Sequence, residues 1–184
     1  MLWIEKPSNS TITQGAIVDG VNWGYGEDPL SIVLSNACDL AHDKSSFLIV
    51  AALVPAVDVL SRSKEFQSLT SDANENKELS KKQWKALSDM LKSYIHNKNI
   101  CRYYFFDPKP VIDFDLLLVD FQCIKSIPIK DTPNLDKIGQ MKSPFIEQMM
   151  MRFASYTARI PSDRVDDEQE RQYLDELSVG FHQK

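Results

Sequence analysis

The sequence predicts an α+β fold: a small, mostly antiparallel β-barrel with a helical insertion and C-terminal helices. Three observations carry this. Two apolar runs of strand length, Leu30-Ser31-Ile32-Val33-Leu34 and residues 47–55, flank a short polar turn. Within residues 56–99 the apolar positions change to a helical period, and a second helical stripe follows Pro144. The 184 residues, 43% hydrophobic and 26% charged, suffice for one domain spanning 1–184 with a real core. Strands are expected within 13–55 and 100–130, helices within 56–99 and 143–178.

In chain order, Gly15-Ala16-Ile17-Val18-Asp19-Gly20-Val21 reads as a strand bounded by glycines. The loop Asn22 to Pro29 follows, with Trp23 and Tyr25 expected to cap the core rather than line a groove. Pro55 ends the strand pair. Val57, Leu60, Phe66 and Leu69 are spaced as a weak helix that Ser61-Arg62-Ser63 interrupts, and residues 70–77 read as an exposed loop. Ser80-Lys81-Lys82-Gln83 is a capping box, and Trp84, Leu87, Leu91, Tyr94 and Ile95 recur on one face behind it. Lys85, Lys92 and Lys98 then form a solvated face.

Cys101 to Phe106 is aromatic-rich and short, hence a strand, closed by Asp107-Pro108-Lys109-Pro110. Leu116-Leu117-Leu118-Val119 passes into the alternation Asp120 to Lys125, as in a strand buried on both faces that becomes half exposed. Ser143-Pro144 reads as a helix start with the serine as cap. Phe145, Met149, Phe153, Tyr156 and Ile160 form its core stripe, and a charged run from Asp166 leads to a terminal helix bearing Tyr173, Leu174 and Leu177.

A formal net charge of -5 sets no general field toward phosphates or anionic lipid. RNA is therefore disfavoured. A protein partner or a second copy is the expected contact. No apolar run is long enough for a helix to span a bilayer, and the first residues lack a signal-peptide pattern, so a cytoplasmic location with no membrane is expected. Three cysteines without C-x-x-C spacing and three scattered histidines suggest neither a disulfide framework nor a metal site. Neither cofactor nor metal is expected.

The polar turn concentrates the reactive side chains. Cys38, Asp39 and His42 have the parts of a nucleophilic cysteine site, while the commoner use is that Asn36 and Asp39 bond their own turn and Cys38 packs at a strand end. Asn36, Cys38, Asp39 and His42 are the candidate catalytic residues, with the balance leaning against an enzyme. Asp113, Asp115 and Asp120 match no calcium loop, and the first two are expected to face solvent. Arg152 and Arg159 share a face of the late helix and could grip a carboxylate, a phosphate or a partner.

The order of elements resembles the PemK/MazF-type toxins, which are SH3-like barrels that cut single-stranded RNA. The matching pieces are Gln14-Gly15-Ala16-Ile17-Val18, then 29–36, 48–55, 118–127 and 135–140, together under half the chain. Where that family commonly has an arginine before the second strand and a threonine after the third, this chain has Asp28 and Ala56. A carboxylate and a methyl cannot stabilise a scissile phosphate. The resemblance thus implies a degenerate barrel acting as a non-catalytic interaction or regulatory module of a bacterial or phage stress or defence locus. The alternative is a ribonuclease or cysteine-dependent hydrolase centred on residues 36–42. Leu34 to Leu40, with Ser143-Pro144-Phe145 and Arg152-Phe153-Ala154, is also similar to a group of uncharacterised bacterial and phage-associated proteins with a strand-end Cys-Asp motif.

Overall fold

The computed structural model describes residues 2–24, 28–42, 44–71, 78–98, 102–109 and 111–158. Among these, seven strands make one sheet: β1 (Ile4–Glu5), β2 (Ala16–Asp19), β3 (Ser31–Val33), β4 (Phe47–Pro55), β5 (Tyr103–Phe106), β6 (Leu117–Pro128) and β7 (Asp136–Met141). Their order is β1-β7-β2-β3-β4-β6-β5, with every neighbouring pair antiparallel. The sheet curls into a half-barrel, so the α+β, barrel-like expectation holds.

Alternation divides the strand residues between two faces. Ile17, Ile32, Ala51, Leu53, Tyr104, Phe106, Leu117, Val119 and Phe121 share one core with Phe145 and Met149 of α5 (Phe145–Thr157). The opposite face buries Ala16, Val18, Val33, Leu48 and Val50 beneath Ile12, Trp23 and Leu40. Trp23 thus caps the core as its composition suggests, and its indole N–H donates to Ser31 Oγ at 3.0 Å. Gly15, at φ 77°, allows α5 close to the sheet: a Cβ there would stand 2.9 Å from the Ile146 side chain.

The long β4–β6 pair is the spine. Its register jumps from Ala51↔Ile124 to Ala52↔Asp120, leaving residues 121–123 as a bulge on β6. Such an insertion bends a strand and strengthens its twist, which helps the sheet curl. Its two end strands, β1 and β5, share no ladder. Trp3, just ahead of β1, bridges the gap with its ring, centred 6.3 Å from Tyr104 and 6.2 Å from Phe105 of β5 and 4.3 Å from Phe145 of α5.

Helices α2 (Ala56–Arg62) and α3 (Lys64–Thr70) occupy the weak helical stretch, broken at Ser63, whose side chain accepts the Phe66 N–H at 3.1 Å. Helix α4 (Lys81–Ile95) starts with both bonds of the capping box between Ser80 and Gln83. Its buried positions are Leu87 and Met90, whereas Trp84 is 61% exposed and off the packed face. The helix meets α3 and β5 over a narrower stripe than its apolar residues offer.

Several elements depart from the sequence reading. Ahead of the first strand read from the sequence stands β1, which is too short to alternate and is held by register with Gln140 and Met141. A 3₁₀ helix at Ile129–Asn134 precedes β7. Ser143 does not cap α5: Pro144 holds the cap position, without a side-chain hydrogen bond. Tyr25, residues 72–77, Cys101, Ile160 and the expected terminal helix lie outside the described residues.

Candidate functional site

The polar turn between β3 and β4 folds as α1 (Ala37–Ala41), one short helix rather than a loop. Asn36 is its N-cap, and its Oδ1 accepts the Cys38 N–H at 2.9 Å. This is the local bonding expected of an Asx residue. Ser35, buried just before it, accepts the Ile49 N–H at 2.7 Å and fastens the end of β3 to β4.

Asn36, Cys38, Asp39 and His42 are all exposed. Among the described residues no side-chain hydrogen bond links the thiol, the carboxylate and the imidazole. Asp39 lines a cavity of about 340 Å³ together with Leu40, Ser45, Leu48 and Thr132. Cys38 and His42 are not among its lining residues. The elements therefore bring the four residues onto one solvated turn, where water screens any charge between them.

Of the late-helix arginines, Arg152 lines a cavity of about 620 Å³ with His96, Asn97, Tyr104 and Gln148. Arg159 lies outside the described residues. Asp113 and Asp115 face solvent as expected, the latter 3.7 Å from Lys109 Nζ. Among the described residues no group of three histidine, cysteine or acidic side chains is placed to hold a metal ion. No helix among them is long and apolar enough to cross a membrane.

The most organised polar cluster lies elsewhere, beside the β6 bulge. Arg102 donates through Nε and Nη2 to the two oxygens of Asp120, at 2.8 and 2.7 Å. Asp120 is 6% exposed and also accepts the Gln122 N–H at 3.0 Å. The guanidinium carbon lies 4.8 Å from the centre of the Tyr103 ring. Arg102 is held more firmly protonated, chiefly by its hydrogen bond to Asp120. Burial, followed by the Asp120 charge, pushes the Tyr103 phenol up, and burial does the same to Tyr94. Burial and then Asp120 raise the Cys123 thiol.

Sequence reasoning weighs Asp120 only as a metal ligand and overlooks Arg102. The signal available is the apolar run Leu117-Leu118-Val119 passing into Asp120 and Phe121, because a carboxylate inside a strand buried on both faces requires a partner. Which cation supplies it depends on β5 lying beside β6, where Tyr103 pairs with Asp120.

The two departures from the toxin pattern have structural occupations. Asp28 accepts the Trp23 N–H at 2.8 Å and closes the loop before β3. Ala56 is buried at the start of α2, and its N–H donates to Leu116 O at 2.8 Å. No protein-family model and no curated protein matches the chain.

Proposed function

We propose that this chain is a non-catalytic interaction or regulatory module of a bacterial or phage stress or defence locus. It is a degenerate relative of the PemK/MazF barrel, working in the cytoplasm through a protein partner or a second copy of itself. The observation that carries this reading is the pair Asp28 and Ala56. At the two places where a phosphate-cleaving barrel needs a cation and a hydroxyl, one residue is a carboxylate bonded to Trp23 and the other a buried methyl. The net charge of -5 adds general repulsion of RNA. The exposed and unlinked Cys38, Asp39 and His42 favour the same conclusion, since activation of a nucleophile requires a base within hydrogen-bond reach.

Incubation of the purified chain with single-stranded RNA tests the proposal, and the RNA is expected to remain intact. Cleavage that disappears in Asp39→Asn or His42→Ala would overturn it in favour of a ribonuclease centred on that turn.

A further inference from the structure

Beside the Arg102–Asp120 pair is a cavity of about 440 Å³, where β4, α2, α4, β5 and β6 converge. Its volume is within the range of small-molecule sites. Val54, Pro55 and Val59 supply an apolar wall, and Tyr94 and Tyr103 bring aromatic rings whose centres are 6.4 Å apart. The polar lining consists mainly of Arg102 and Asp120, with Asp58 and Arg62 from α2.

The charges are unequally available. Both Asp120 oxygens are occupied by Arg102, and one also accepts from Gln122. Arg102 uses two of its five N–H donors in that fork, so three remain for a ligand while Asp120 and the Tyr103 ring hold the guanidinium in place. Asp58 and Arg62, one helical turn apart, make no ion pair with each other. The lining thus offers donors from two guanidiniums, one carboxylate with open acceptors, and an apolar wall. An anion alone would leave Asp58 facing it. A simple amine would leave the guanidiniums unanswered.

The geometry points to a binding site for a small zwitterion, an α-amino acid with an apolar side chain, whose carboxylate is held by Arg62 and Arg102, ammonium by Asp58 and side chain by Val54, Pro55 and Val59. This goes beyond the proposed module function and does not depend on it, since it concerns neither the polar turn nor RNA. A guanidinium positioned by a buried carboxylate and an aromatic ring is preorganised for such a ligand, which reduces the ordering cost of binding.

Calorimetric titration of the full chain tests this with L-phenylalanine, its amide, its N-acetyl derivative and benzoate. Saturable binding of L-phenylalanine is expected, with each of the other three weaker by about tenfold or more, the scale of one lost charge-assisted hydrogen bond. Arg62→Gln should weaken L-phenylalanine by a similar factor, and Asp58→Asn should erase its advantage over the N-acetyl form. Both positions are exposed, so these variants keep the fold even if Arg102→Lys does not. Absence of saturable binding by L-phenylalanine overturns the proposal. So does equal binding of the amide, or unchanged affinity in Arg62→Gln.

Discussion

Among the described residues Asp120 is the buried carboxylate, and its neighbourhood is explained by the need to satisfy it. Removing water from a carboxylate costs several kcal/mol, and the Arg102 fork with the Gln122 N–H offsets that cost. The charge also reaches Cys123, the half-buried thiol three residues along β6, which burial has already raised. A raised thiol carries less reactive thiolate at a given pH, and Cys38 is the more exposed. In a Cys101→Ser background, a maleimide is therefore expected to modify Cys38 first at neutral pH, with Cys123 catching up only as the pH becomes alkaline. Peptide mass spectrometry over a time course checks this, and equal neutral-pH rates would contradict it. The candidate residues Cys38 and Asp39 were legible as types and as neighbours. Their exposure was not, because it depends on what packs over α1.

At the scale of the element, the outer edge of β5 shows how the sheet is finished. Asn97, just beyond α4, has a φ of 52°, a conformation that asparagine tolerates better than most residues. Its amide donates to Phe105 O at 3.0 Å and its Oδ1 accepts the Phe105 N–H at 2.6 Å. One side chain thus supplies the bonds that a further strand would have made there. Edge strands left open invite pairing with other chains. Asn97→Ala is expected to cost about 1–2 kcal/mol in urea denaturation, from two lost hydrogen bonds and an unfavourable φ. It should also raise the apparent mass in light scattering as concentration increases. Asn97→Gly, which relieves the φ, should recover part of the stability and none of the resistance to association. The apolar period stops near this residue, which marks the end of α4 in the sequence itself. The clasp itself joins positions eight apart, and a single sequence carries no signal for it.

For the whole molecule, closure by side chains makes the half-barrel depend on a few rings. Tyr104 sits at the centre of that arrangement, 1% exposed, with its hydroxyl donating to Phe145 O at 3.2 Å and its phenol raised above its ordinary value of 10.0 by burial. Burial raises Tyr94 and Tyr103 as well. Below pH 10 both folded and unfolded chains keep these protons. Above it the unfolded chain ionises first, so stability falls as pH rises from about 10 toward the raised folded values. Thermal melts across that range should show a declining Tm, and the decline should be shallower in Tyr104→Phe. The sequence by itself determined strands β2 to β6 and helices α2 to α5, because alternation, helical periodicity and the Ser80–Gln83 box act over a few residues, and it did not mark β1, β7 or α1. It also determined the double burial of the start of β6, Leu117 to Val119, whose apolar run admits no solvated face. The tertiary structure alone decided that β1 completes an edge, that Trp3 closes the seam to β5 and that Arg102 finds Asp120. Each of those joins residues far apart in the sequence, whose contact exists only once β1 has paired with β7, β5 with β6 and α5 has packed on the sheet, a condition no local preference sets.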